Sequence, residues 1–125
     1  MKTESLCAAL GNGYRTTIID FENVIHKDLK NGFDIEISGV CTANRKNKGV
    51  TIWLWHTHPY ITVTHVKTKT ADPAEVKAAV QRLYELSERL IRDGLNNWSG
   101  IMHYKDIEAA QLRKSLKEKE DRRND

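Results

Sequence analysis

Val50-Thr-Ile-Trp-Leu-Trp-His-Thr-His-Pro-Tyr-Ile-Thr-Val-Thr-His-Val66 is the stretch on which the fold turns. Val50, Ile52 and Leu54 alternate with Thr51, Trp53 and Trp55, the period-two signature of a strand over 50–57. Pro59 interrupts it, because proline has no amide hydrogen for the ladder. Beyond it, Ile61 and Val63 alternate with Tyr60, Thr62 and Thr64, so 60–68 reads as the returning strand of a hairpin. The same segment concentrates two Trp, one Tyr and three His, which makes it the first place to look for function.

Toward the N-terminus, Phe33, Ile35 and Ile37 alternate with Asp34, Glu36 and Ser38, another half-buried strand. Residues 15–26 read as one strand, with Ile19, Phe21 and Ile25 on one face and Asp20 and Glu22 on the other. Lys30-Asn31-Gly32 supplies the turn that joins these two strands into a hairpin. Residues 3–10 suit a short helix stopped by Gly11-Asn12-Gly13. Thr42-Ala-Asn-Arg-Lys-Asn-Lys-Gly49 is a basic turn into the hairpin. The expected sheet is a four-stranded antiparallel β-meander.

Toward the C-terminus the period changes to that of a helix. Asp72 suits the N-cap, Pro73 the first helical position, and Glu75 the carboxylate position of a capping box. Val76, Ala79, Val80, Leu83, Leu86, Leu90 and Ile91 form one apolar stripe, and Gly94 supplies a stop, so a helix spans 73–93. Residues 105–120 form a further helix with a thin stripe of Ile107, Ala110, Leu112 and Leu116, and 118–125 should fray. Strands first and helices after imply a single α+β domain over 1–125, with the long helix across one sheet face.

The bulk numbers narrow the function classes. A chain of 125 residues supports one modest core. Twenty basic against 17 acidic residues leave a net charge of +3, too mild to imply nucleic acid by itself. No apolar run approaches the roughly 20 residues that cross a bilayer. Cys7 and Cys41 lie far apart, outside any Cys-x-x-Cys pattern, and read as free thiols. The expectation is a cytoplasmic protein without membrane contact or a cofactor motif. Sheet edges in so small a domain often pair with a second copy, so a homodimer is in view.

Three uses of the hairpin follow. His56-Thr-His58-Pro59 resembles the His-x-His-Pro element of JAMM-type zinc metalloproteases over about ten residues. The resemblance implies His56 and His58 as metal ligands, and His65 approaches them if the hairpin register permits. Lys69 stands where that family has its Ser, and Asp72 is better explained as a helix cap. Catalytic zinc needs three protein ligands and a water, so unmetallated histidines are the preferred reading, and no catalytic set can be assembled.

A second use is stacking. Trp53, Trp55 and Tyr60 are bordered by Arg45, Lys46 and Lys48 at one end and by Lys67 and Lys69 at the other. Rings beside a basic rim hold single-stranded nucleic acid, at roughly 1–3 kcal/mol per stacked base. Against this, Asp20, Glu22, Asp34 and Glu36 fall on the non-core faces of their strands, and the helices carry enough apolar surface to bury the Trp pair. The third use absorbs these facts: a non-enzymatic binding or regulatory protein that meets a protein partner through those eight residues. A nucleic-acid-binding module is the alternative, and a His-x-His hydrolase comes last.

Overall fold

The structure, a computed structural model, describes residues 2–40 and 49–123. It is α+β, with a short helix α1 (Thr3–Leu10), five strands and two C-terminal helices. The strands are β1 (Tyr14–Ile19), β2 (Glu22–Asp28), β3 (Phe33–Ser38), β4 (Thr51–Thr57) and β5 (Tyr60–Lys67). They pair antiparallel in chain order as one meander. Helices α2 (Pro73–Arg92) and α3 (Trp98–Arg123) follow. Among the described residues no helix is long and apolar enough to cross a membrane.

The sheet has five strands rather than four because 15–26 is not continuous. Asp20 and Phe21 adopt φ of +50° and +65°, and Ile19 pairs with Glu22 across them. Two residues at positive φ make the tight hairpin turn whose twist matches that of the strands. Neither is Gly or Asn, so the usual sequence signal is missing. Phe21, expected to face the core, instead stands at the turn tip, fully exposed.

The β2–β3 turn is built as its sequence suggests. Asp28 Oδ1 accepts from the Lys30 amide at 2.7 Å, and Asn31 Oδ1 accepts from the Phe33 amide at 3.2 Å. Asn31 Nδ2 also donates to Ser87 Oγ at 2.9 Å and Glu88 Oε1 at 2.8 Å, tying this turn to α2. In the β4–β5 pair Leu54 opposes Thr64 while Trp55 opposes Thr62, leaving Val63 as an extra residue. Ile61 and Val63, two residues apart, both pack with the core, and beyond the bulge the Thr64 hydroxyl donates to Glu108 of α3 at 2.9 Å.

The core lies on one sheet face. Ile25, Phe33, Ile35, Ile37, Ile52 and Leu54 meet Leu6 and Leu10 of α1 and Val76, Ala79, Leu83 and Leu90 of α2. Each such Ile or Leu, fully buried, contributes roughly 1.5–3 kcal/mol. Helix α2 ends with Gly94 at φ +71°, the Leu95 amide donating to Leu90 O at 2.8 Å and the Gly94 amide to Ile91 O at 3.1 Å. Its start departs from the expected capping box. Asp72 makes no side-chain cap, and Glu75 reaches back to the amides of Lys69 and Thr70 and to the Thr70 hydroxyl.

Helix α3 begins seven residues before the expected position 105. Asn97 caps it, accepting from the Gly100 amide at 2.8 Å. Gly100 discourages a helical reading, yet a Cβ there would lie 2.4 Å from Leu95 Cα. The glycine is what lets the first turn of α3 pack on the connection from α2.

Candidate binding surface

Strand alternation decides which side chains share the second sheet face. Val50, Ile52, Leu54 and His56 point into the core; Trp53 and Trp55 point the other way. Glu36 stands opposite Trp53, and Asp34 opposite Trp55, in the β3–β4 register. His26 and Glu36 are paired across β2–β3, and Glu22 lies further along the same face of β2. This face forms a concavity of about 360 Å³ lined by Ile19, Glu22, Val24, Glu36, Trp53 and Trp55, to which no described helix contributes. The expectation that helix surface covers the Trp pair is therefore not met: α1 and α2 use the aliphatic face.

Both tryptophans are half-buried, packed laterally rather than from above. The Trp53 ring lies 4.5 Å from that of His65, and its Nε1 donates to Ser38 Oγ at 3.3 Å. The Trp55 ring is 5.0 Å from that of Tyr60, tilted by 54°. Trp55 Nε1 is buried close to the Glu36 carboxyl, near enough to favour its charge, but makes no hydrogen bond of acceptable geometry.

The carboxylates are individually distinct. Asp34, only 8 % exposed, takes His26 Nε2 at 2.9 Å and the Tyr60 hydroxyl at 3.2 Å on the same oxygen. Burial, then the Asp34 charge and hydrogen bond, push the Tyr60 phenol up from its ordinary value. Glu22 accepts from the Gly39 amide at 2.9 Å. Glu36 has no such partner. Burial first, and then repulsion by Glu22 and Asp20, hold its carboxyl above the ordinary range, against weaker pulls from His26 and Trp55. The surface thus presents indole edges beside carboxylates, of which Asp34 is met by His26, and Lys105 of α3 reaches its border at Thr62.

The expected basic rim is only partly here. Lys67 pairs with Thr51 and so shares this face at the far end of β5, and Lys69 is exposed just beyond it. Arg45, Lys46 and Lys48 lie outside the described residues, as does Cys41. Asp20, Glu22, Asp34 and Glu36, expected on the non-core strand faces, border the aromatic groups. Their period-two positions carried that signal; the pairing register that unites them did not.

The three hairpin histidines do not converge. His56 is 4 % exposed on the core face, with Nδ1 2.9 Å from Pro59 O and Nε2 3.1 Å from Asn96 O. His58 sits in the turn, its Nδ1 3.0 Å from Thr57 Oγ1. His65 is on the opposite face against Trp53. The alternation that would put His56 and His58 together ends at the turn, where His58-Pro59 is a cis peptide. Among the described residues no three His, Cys, Asp or Glu are placed to hold a metal ion. The chain matches no protein-family model, no curated protein and no solved structure.

Proposed function

We propose that this chain is a non-enzymatic binding or regulatory protein whose open sheet face docks a segment of a protein partner carrying Arg or Lys beside apolar residues. The observation that carries the reading is the register of β3 on β4, which sets Glu36 against Trp53 and Asp34 against Trp55. Indoles offer a face to a guanidinium, and the adjacent carboxylates supply its counter-charge. A cation beside Glu36 would relieve the repulsion that raises its carboxyl.

The hairpin tip enlarges the surface. Phe21 and Ile18 are exposed, and Ile19 and Asp20 line the concavity next to them. Phe21 packs on nothing and occupies a backbone conformation that costs a non-glycine residue energy, a combination expected of a contact residue rather than a folding one. A second copy pairing on the β1 edge belongs to the same proposal. Nucleic acid is the weaker reading, since phosphates approaching Trp53 and Trp55 would meet Glu22, Asp34 and Glu36.

Tryptophan fluorescence titrations separate these readings. An Arg/Leu-rich peptide should perturb emission saturably, with binding weakened by salt and by Glu36→Gln. A single-stranded oligonucleotide should not. Saturable response to the oligonucleotide and none to the peptide would overturn the proposal in favour of a nucleic-acid module.

A further inference from the structure

On the helix-covered side of the sheet, a separate cleft of about 490 Å³ opens where the start of β1 and the end of β2 meet α2. Its apolar walls are Tyr14, Leu29, Val80 and Tyr84; its polar lining is Lys27, Lys30, Lys77, Gln81 and Asp28. Asp28, paired with Asp34, is the residue of this cleft whose strand position lies on the aromatic face described above. Three lysines and one carboxylate therefore line one partly apolar concavity.

Asp28 brings one carboxylate into the same lining, which leaves it net positive. Among the described residues none of Lys27, Lys30 and Lys77 forms an ion pair. Asp28 is engaged by the Lys30 amide, Glu85 by Gln81 Nε2 at 3.3 Å, and Glu88 by Asn31 Nδ2. Lys27 is half-buried, and its Nζ stands 4.4 Å from the centre of the Tyr14 ring, the partner opposite it across β1–β2. Gly13 borders that amine: a Cβ there would lie 3.0 Å from Lys27 Nζ, the mobile end of a long side chain. Burial holds the Tyr14 phenol above its ordinary value; like any tyrosine hydroxyl it is a donor at neutral pH. Like charges brought together at an apolar wall repel one another unless an anion joins them.

We propose that this cleft binds a phosphomonoester on a flat apolar body. The phosphate lies among Lys27, Lys30 and Lys77, and the ring lies against Tyr14 and Tyr84. A dianion with three terminal oxygens matches three separate point-charge donors better than a single carboxylate does. The volume falls in the range of small-molecule sites.

Phenyl phosphate titrated into the isotope-labelled full chain tests this by amide chemical shifts, with inorganic phosphate and benzyl alcohol as its two halves. Saturable shifts are expected at Gly13, Tyr14, Lys27 to Leu29 and Lys77 to Tyr84, with phenyl phosphate binding more tightly than either half. Lys77→Gln, at an exposed helix position, should weaken binding about tenfold, and Lys27→Met by about as much or more. Lys67→Gln, on the other face, should leave binding unchanged. Shifts that never saturate, that spread over the lysines of α3, or that are equal in the Lys77→Gln protein would overturn the assignment.

Discussion

His56 Nε2 lies 3.1 Å from the carbonyl oxygen of Asn96, forty positions on in the chain. The contact joins the β4–β5 turn to the connection between α2 and α3. The other ring nitrogen lies 2.9 Å from Pro59 O, so the single N–H of the neutral ring serves one of the two carbonyls, and the ring packs edge-on to Phe33 with centroids 5.2 Å apart. His56 is therefore a structural polar residue inside the core. Replacing it with Ala should cost about 2–4 kcal/mol in urea denaturation, the combined effect of a cavity and a carbonyl left without its donor. His58→Ala should stay within about 0.5 kcal/mol, as for exposed turn positions. Equal losses at the two positions would contradict this division.

Phe21→Gly is expected to stabilise the protein. The residue holds φ at +65° and buries nothing, so glycine removes the steric cost without losing contacts. A gain of about 1 kcal/mol is the scale for relieving a left-handed non-glycine residue. The same substitution should weaken capture of the Arg/Leu-rich peptide. A variant that is less stable would show that Phe21 packs in solution.

Glu36→Gln should raise the melting temperature at neutral pH, and the difference should narrow in acid. The Glu36 carboxyl sits above its ordinary value of 4.5 because burial and then Glu22 and Asp20 disfavour its charge. A raised native value means that the protonated form is the one favoured by folding. That contribution is complete below pH 4.5 and is lost as pH rises through the native value. The charge is thus a liability at neutral pH, where the amide is not. A melting difference that does not vary with pH would refute this origin.

Gly100→Ala should be among the most damaging substitutions in the chain, although alanine ordinarily favours a helix. Its Cβ would fall 2.4 Å from both Leu95 Cα and Leu95 O, backbone atoms that cannot rotate away. A loss of about 3 kcal/mol or more fits overpacking at such a contact. Circular dichroism at elevated temperature, compared with the neighbouring Ser99→Ala, separates the steric effect from a general change in α3.

The hydrophobic periods were sufficient to establish the strands from 33 onward, the aliphatic core face of β4 and the stripe of α2, since burial on one side of a regular element imposes a local pattern. Helix α1 was likewise bounded by Gly11. What escaped local reading depended on contacts between distant segments. The Asp20–Phe21 turn has Phe where a glycine is usual, and its strain is sustained by the pairing of β1 with β2. The early start of α3 is concealed by Gly100, whose reason is Leu95.

The site divides in the same way. The sequence by itself determined that Trp53 and Trp55 share a face opposite Ile52 and Leu54, because alternate residues of a strand must point to opposite sides. Only the tertiary structure decided that the helices cover the aliphatic face, and that the register of β2, β3 and β4 brings His26, Asp34 and Glu36 beside the indoles. Period fixes a face within one strand; which strands and helices meet on that face is set by long-range packing, to which a one-dimensional pattern is blind.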